Sequence, residues 1–137
     1  MLLAHDGVAL LYEDCVGVGY DEVHDDPDAA LSLIVERFKA VEARCDVVVI
    51  VGSDYTDVGS PTELSYNARI AANLGAPVLL VLGGQVEAGS RTADDLAQVY
   101  GLARQELDAA HAQLLGVIAN RADAGNLENI VAGRRTL

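Results

Sequence analysis

The sequence predicts an α/β domain with a mostly parallel sheet and helices on both faces. Three apolar runs, at 47–51, 77–82 and 114–119, recur about 30 to 36 residues apart, as in successive βαβ units. The runs lack polar alternation, which is typical of parallel strands that are covered on both faces. Segments with helical periodicity and N-terminal capping signals lie between them.

The first half predicts two strands around one helix. A short strand is expected at Cys15–Tyr20. Asp26 is a good N-cap and Pro27 suits the first helical position, so a helix should run through Ala29–Cys45. Asp46–Gly52 then predicts a buried strand. The apolar residues of the helix repeat at the three-to-four spacing of one buried face: Leu31, Ile34, Val35, Phe38 and Val41.

The second half continues the alternation. Ser60–Glu63 reads as a capping box that opens a helix through Ala72, and Gly75 ends it. Pro77–Leu82 predicts a second buried strand, and Gly83–Ser90 a flexible loop.

A further helix and strand complete the pattern. Thr92–Asp95 resembles another cap and should start a long helix that reaches about His111. Leu114–Ala119 predicts the third buried strand, and another amphipathic turn begins at Asn126.

Composition restricts the partners. The 137 residues suit one domain or part of one, and 51% hydrophobic with 22% charged residues is a globular balance. A net charge of −12 argues against nucleic acid and anionic membranes as partners. The apolar runs are too short to span a bilayer. Cys15 and Cys45 are expected to be reduced, buried thiols in a cytoplasmic protein, and the scattered histidines predict no metal site.

Ligands of parallel α/β sheets bind beyond the carboxyl ends of the strands. That rule selects three stretches, Gly52–Ser60, Gly83–Ser90 and Asn120–Gly125, each of which has an ordinary alternative as a polar turn or connector. Hydroxyls and carboxylates in the first could hold Mg²⁺ through water or a phosphate-bearing ligand, and an amide in the third could read a purine edge. The candidate ligand-binding residues are Ser53, Asp54, Tyr55, Thr56, Asp57, Gly83, Gly84, Asn120 and Arg121.

No catalytic residue is predicted. The only lysine, Lys39, lies within a predicted helix without a glycine-rich turn, so the phosphate-binding P-loop pattern is missing. Neither a dinucleotide-binding glycine motif after a strand nor a nucleophile elbow occurs. A complete active site is therefore hard to find in this chain.

Four stretches carry a resemblance to a known family: Cys15–Tyr20, Cys45–Asp57, Ser60–Leu80 and Gly116–Arg121. Together they resemble the amino-terminal domain of the long bacterial phosphate acetyltransferases. That domain is similar in turn to dethiobiotin synthetase and other P-loop proteins. The most specific segments are Gly-Ser-Asp-Tyr-Thr-Asp at 52–57 and Asn-Ala-Arg-Ile-Ala-Ala-Asn-Leu-Gly-Ala-Pro at 67–77.

The resemblance implies a three-layer, P-loop-like domain that lacks its first strand and its P-loop. Residues 1–137 would be a single partial domain, regulatory or assembling rather than catalytic, without the carboxyl-terminal acyltransferase domain. The parent enzyme would use acetyl-CoA and phosphate, and this segment would hold no cofactor. Expected partners are further copies of the chain, the missing parts of the parent and a small-metabolite effector.

Two alternatives stay open. The chain could be a degenerate nucleotide-binding module that uses Ser53–Asp57 and Asn120–Arg121, or an ATP-dependent carboligase of the dethiobiotin synthetase type. Nucleotide-binding relatives have a metal-serving acid where this chain has Val51, and Asp54 is the nearest substitute. A missing first strand would leave two apolar strands with unpaired edges, so the sheet should close differently or the chain should oligomerise.

Overall fold

A computed structural model describes residues 9–53, 61–86 and 89–133 of the chain. The backbone contacts divide the protein into two compact units, Met1–Gly52 and Ser53–Leu137. Each unit has its own helices and its own buried residues, so the two are described in turn.

The described part of the first unit is helical. It contains α1 at Tyr12–Cys15, α2 at Tyr20–Asp25 and α3 at Pro27–Glu42. The predicted start of α3 is confirmed, because the Asp26 carboxylate accepts hydrogen bonds from the amides of Asp28 at 3.1 Å and Ala29 at 3.0 Å. The helix ends at Glu42, short of the predicted Cys45.

The predicted strand at Cys15–Tyr20 is wrong. Cys15 ends α1, and Tyr20 begins α2. The Arg37 guanidinium donates hydrogen bonds to the carbonyls of Val16 and Gly17, and the amide of Gly19 donates to the Glu22 carboxylate at 2.6 Å. Side chains therefore form hydrogen bonds with the carbonyls and the amide that would pair with a neighbouring strand in a sheet.

Burial in the first unit is shallow. Ala30 and Leu31 are its buried residues among those described, while the other predicted core positions of α3 are half-buried. Cys15 is exposed and Cys45 is half-buried, so the expectation that both thiols are buried is wrong. Arg44 ties the end of α3 back to the start of the chain by pairing with Asp14 at 3.1 Å and donating to the carbonyl of Ala9 at 3.2 Å. Exposed pairs of this kind contribute little stability, so this unit depends mainly on local helix signals.

The predicted buried strand at Asp46–Gly52 is also wrong. These residues belong to neither a helix nor a strand, and Val47, Val49 and Val51 are each about three-quarters exposed. A strand is stable only when its amides and carbonyls pair with a neighbour. No ladder partner for this segment exists among residues 9–53, 61–86 and 89–133.

The second unit has the predicted α/β character. β1 and β4 pair in parallel, with Leu80 opposite Val117 and Gly83 opposite Asn120. β2 and β3 form a small antiparallel pair inside the predicted flexible loop at Gly83–Ser90, which the sequence analysis did not predict. The described elements are α4 (Pro61–Leu74), β1 (Val78–Gly83), β2 (Gln85–Val86), β3 (Gly89–Ser90), α5 (Ala93–Ala109), β4 (Leu114–Asn120), a 3-10 turn (Ala124–Asn126) and α6 (Leu127–Gly133).

The helix boundaries of this unit follow the sequence signals. Thr92 caps α5, and its hydroxyl accepts a hydrogen bond from the amide of Asp95 at 3.2 Å. Gly75 follows α4 with φ of 63°, a left-handed conformation that ends the helix at little steric cost. The helices α4 and α5 and the strands β1 and β4 are thus confirmed. Ser60, at the predicted start of α4, lies outside the described residues.

The core of the second unit lies on one face of the β1–β4 sheet. Leu80 and Leu82 of β1 pack with Leu64, Leu96 and Ala103 from α4 and α5. Leu79 and Val81 of β1 are about half exposed, and Leu115 of β4 is 67% exposed. The prediction that these two strands are buried on both faces is therefore wrong. A second cluster surrounds Leu107, which is fully buried with Ala68 and Ala112.

No helix within the described ranges is long and apolar enough to cross a membrane.

Candidate functional site

The candidate site lies at the carboxyl ends of β1 and β4. Parallel pairing places Gly83 beside Asn120, and the amide of Gly84 donates a hydrogen bond to the carbonyl of Asn120 at 2.6 Å. The amide of Arg91 donates to the carbonyl of Gly84 at 2.8 Å. Backbone hydrogen bonds therefore continue the sheet past both strand ends and join the two loops there.

Gly84 permits this close approach. A Cβ atom at residue 84 would lie 2.6 Å from the Cα of Ala122 and 2.7 Å from the carbonyl oxygen of Arg121. These atoms belong to the backbone and have little room to move. Arg121 itself has φ of 55°, which is uncommon for a residue with a side chain. The two loops thus fit together only because residue 84 is glycine.

Arg91 provides a cationic group at the same edge. Its guanidinium donates to the carbonyl of Gly83 at 2.8 Å and is partly buried. An open groove of about 370 Å³ lies beside it, lined by the hairpin of β2 and β3 and by the first turns of α5, including Asp95 and Val99. The groove therefore combines one arginine, one carboxylate and apolar side chains.

The carboxylate of Asp95 is already engaged within its helix. It accepts hydrogen bonds from the hydroxyl of Thr92 at 2.7 Å and from the amide of Thr92 at 2.8 Å. These bonds, with a smaller contribution from the positive charge of Arg91, lower the pKa of Asp95 below its usual value. The carboxylate thus remains ionised at neutral pH and serves to cap the helix.

Ser53 is held by α4. Its amide donates to the Asn67 side-chain oxygen at 3.3 Å, and the Asn67 amide group donates to the Ser53 carbonyl at 3.2 Å. The Ser53 hydroxyl also lies 3.1 Å from the Asn67 side-chain nitrogen. One asparagine therefore holds the backbone and the hydroxyl of Ser53 against α4.

The structure brings four of the predicted site residues together: Gly83, Gly84, Asn120 and Arg121. Ser53 is placed by its own contact with Asn67. The other four candidates, Asp54, Tyr55, Thr56 and Asp57, lie outside the described residues. A role in ligand binding stays a prediction for all nine.

Two residues that position this region were missed by the sequence reasoning. Asn67 lies in one of the segments that carry the family resemblance, so an asparagine in the middle of a predicted helix was a usable signal. Arg91 follows a glycine-serine pair without any recognisable pattern. Its contact with Gly83 depends on how the small hairpin folds.

The described residues contain no cluster of metal-ligating side chains, and the one lysine is paired. No three histidine, cysteine or acidic side chains gather around one point within the described ranges. Lys39, the only lysine of the chain, pairs with Glu42 at 2.8 Å on α3. Its side chain is used locally within the first unit.

Comparison with known proteins identifies the class. Residues 12–135 match a family described as an AAA domain, and the chain belongs to that family. The chain is also 29% identical over 133 residues to phosphate acetyltransferase of Nitratidesulfovibrio vulgaris. The aligned region covers 93% of this chain and 18% of that enzyme. The resemblance to a domain of phosphate acetyltransferase is thereby confirmed, and the chain spans less than a fifth of the length of this relative. No solved structure matches the sequence.

Proposed function

We propose that this chain acts as a regulatory and assembly domain of a phosphate acetyltransferase and performs no acyl transfer itself. The similarity supports the parent enzyme, since nearly the whole chain aligns with a small part of a phosphate acetyltransferase. The acyl-transfer reaction between acetyl-CoA and phosphate would then belong to another part of the parent. A cytoplasmic location belongs to the same proposal and agrees with the free thiols of Cys15 and Cys45.

The arrangement at the carboxyl ends of β1 and β4 carries the non-catalytic part of this proposal. Ligands of α/β domains usually contact free amides and side chains at this edge. Here the amide of Gly84 is bonded to Asn120, the amide of Arg91 to Gly84, and the guanidinium of Arg91 to Gly83. The chain's own loops therefore occupy donors that a phosphate group would need.

The test of the non-catalytic claim is direct. The purified chain is incubated with acetyl phosphate and CoA, and the thioester product is followed by its absorbance. We expect a rate equal to that of buffer, with the N. vulgaris enzyme as the positive control. Turnover that survives repeated purification of this chain would contradict the proposal.

The regulatory claim needs the parent context. The experiment uses two variants of the N. vulgaris enzyme. In the first, this chain replaces the segment that aligns with it. In the second, which is the matched control, that segment is deleted. We expect the exchanged enzyme to keep turnover and to differ from the deletion in oligomeric state or in its response to adenine nucleotides and small carboxylic acids. Identical assembly and identical responses in both enzymes would remove the regulatory role.

A second candidate function is nucleotide binding without hydrolysis, and one observation favours it. Arg121 has a left-handed backbone directly after the strand end, next to the amide side chain of Asn120. Uncommon backbone conformations of this kind cluster at binding sites. Asn120, Arg121 and Asp123 also have the residue types of a base-reading segment.

Titration calorimetry with ATP and Mg²⁺ separates the two functions. The regulatory proposal without nucleotide binding predicts neither heat nor a rise in melting temperature. If ATP does bind, Arg121→Ala should weaken it at least tenfold. Arg104→Ala is the matched control, because it removes the same charge from an exposed pair with Asp108 on α5. Equal weakening by both variants would point to general electrostatic attraction instead.

A further inference from the structure

The open groove beside Arg91 combines charged, polar and apolar side chains. Its volume of about 370 Å³ is in the range of small-molecule sites. Every residue that lines it belongs to the second unit, so the groove is complete within Ser53–Leu137. The lining side chains are two valines, a hydroxyl, a guanidinium, a carboxylate and an amide: Val86, Val99, Ser90, Arg91, Asp95 and Gln98.

Two opposite charges line this groove without being bonded to each other. The Arg91 guanidinium donates one hydrogen bond through Nη1, to the carbonyl of Gly83. The Asp95 carboxylate accepts both of its hydrogen bonds from Thr92 through one oxygen, Oδ2. A guanidinium has five N–H donors and a carboxylate has two acceptor oxygens. Among the described residues, the remaining donors of Arg91 and the Oδ1 atom of Asp95 therefore stay available to a ligand.

The charges also indicate which kind of ligand fits. The pKa of Asp95 is lowered mainly by the hydrogen bonds from Thr92 and in smaller part by the charge of Arg91, so the two groups act on each other through space. An anion would be repelled by Asp95 and by the net charge of −12, and a cation would be repelled by Arg91. A small molecule that has both charges pairs with each group and is neutral as a whole.

We propose that this groove binds a zwitterionic α-amino acid with an apolar side chain. The carboxylate of the ligand pairs with Arg91, whose planar guanidinium matches the geometry of a carboxylate. Its ammonium group donates to Oδ1 of Asp95, and its side chain lies against Val86 and Val99. Because the groove is open to solvent, we expect dissociation constants in the millimolar range.

Arg91 connects this groove to the candidate site. Its guanidinium donates to the carbonyl of Gly83 at 2.8 Å, and its amide donates to the carbonyl of Gly84 at 2.8 Å. A ligand that orders Arg91 therefore also stabilises the loop at the carboxyl end of β1. The inference rests on the regulatory role proposed above for its consequence, and it names the class of effector. Binding itself is measured on the isolated chain.

The primary test is an NMR titration of the isotope-labelled chain with L-leucine. The amides of Ser90, Arg91 and Gln98 should shift along one saturable curve. Two analogues of leucine each lack one charge, since isocaproate has no ammonium group and isoamylamine has no carboxylate. Each analogue should bind roughly tenfold more weakly, because a hydrogen bond to a charged group is lost. Isocaproate that binds as tightly as leucine would show an anion site and overturn the proposal.

Two substitutions test the charged groups from the side of the protein. Arg91→Gln and Asp95→Asn should each raise the dissociation constant of leucine roughly tenfold. Arg104→Gln is the matched control for the first, because it removes the same charge from α5 outside the groove. Asp94→Asn is the control for the second, because Asp94 is in the same helical turn and does not line the groove. Both controls should leave the constant unchanged.

A third substitution tests the apolar wall without disturbing the charged groups. Val86 is 44% exposed, so Val86→Ala should leave the core intact. It should weaken the binding of leucine and leave the weaker binding of glycine unchanged, since glycine has no side chain to contact the wall. Circular dichroism and melting temperature confirm that each variant is folded.

The failures of the two proposals are distinguishable. The absence of a saturable shift with leucine, or equal weakening by Arg91→Gln and Arg104→Gln, would overturn the amino-acid site. Leucine that binds to the isolated chain and changes neither the assembly nor the turnover of the exchanged N. vulgaris enzyme would instead contradict the regulatory role.

Discussion

Two apolar segments of this chain were both predicted to be strands and differ in the structure. Val78–Gly83 forms a strand, whereas Val47–Val51 lies exposed and unpaired in the described structure. β1 has β4 as a parallel neighbour and α4 and α5 over one face. The comparison shows that strand propensity is realised only where a ladder partner and a covering helix exist together.

The two units that contain these segments differ in the same way. The first unit begins its long helix, α3, at a well-formed cap but buries few side chains. The second unit has comparable caps and, in addition, two apolar clusters around Leu80 and Leu107. Local signals are therefore present in both units, and tertiary packing distinguishes them.

The largest expected effect comes from truncating one apolar residue in each of the two segments. Leu80→Ala should lower the free energy of unfolding by about 2–5 kcal/mol, because Leu80 is 4% exposed within the core. Val49→Ala should change it by less than about 0.5 kcal/mol in the monomer, since Val49 is 75% exposed. Urea denaturation of dilute protein measures both, and equal losses would contradict the distinction between the two segments.

Sequence reasoning correctly located the helix ends that are set by capping residues or by a glycine. The caps at Asp26 and Thr92 and the glycine at Gly75 define helix ends through contacts within a few residues. The predictions of β1 and β4 were correct because these two apolar runs pair with each other in the folded chain. The strands expected at Cys15–Tyr20 and Asp46–Gly52 failed because pairing depends on residues far away along the chain, which a single segment does not encode.

The sequence predicted the position of the candidate site but not its hydrogen bonds. The rule on strand ends placed Gly83, Gly84, Asn120 and Arg121 at one edge of the sheet, and the structure brings them together. Their engagement with each other was not predictable, because the bond from Arg91 to Gly83 requires the small hairpin to fold first. Sequence position identifies an edge, whereas the availability of its donors is a property of the folded loops.

The next largest effect concerns that edge and uses two glycines of the second unit. Gly84→Ala should destabilise by about 1–3 kcal/mol, since the added methyl group would overlap backbone atoms of Arg121 and Ala122. Gly101→Ala is the control with the opposite sign. No atom would contact its new Cβ, and alanine favours the interior of α5 by about 0.5–1 kcal/mol. Thermal melting of both variants checks the prediction, which fails if Gly84→Ala is neutral.

A smaller effect compares the helix caps of the two units. Asp26→Ala and Thr92→Ala should each cost about 1 kcal/mol, because each removes a side-chain acceptor from the first turn of a long helix. Hydrogen exchange of the amides in α3 follows the opening of the first unit, and exchange of the amides in β1 follows that of the second. If only Thr92→Ala had an effect, the first unit would lack the local helix signals that the comparison assigns to it.

The smallest effect is the pH dependence of the cap on α5. Hydrogen bonds from Thr92 lower the pKa of Asp95 in the folded state, so the unfolded chain binds this proton more readily. The stabilisation is therefore present above the unfolded pKa of about 3.9 and is lost as the pH falls through the lower folded value. Asp95→Asn should reduce the melting temperature slightly at neutral pH, and the difference from the natural chain should shrink on acidification.

Asp94→Asn is the matched control for this titration, because it removes a neighbouring charge from the same helical turn and leaves the Thr92–Asp95 pair intact. Melting curves of the three chains from neutral to strongly acidic pH isolate the contribution of the capping pair from that of charge near the helix start. The cap would have no pH-dependent role if Asp95→Asn and Asp94→Asn gave parallel curves. A converging Asp95→Asn curve alone would show that ionisation of one side chain sets where α5 begins.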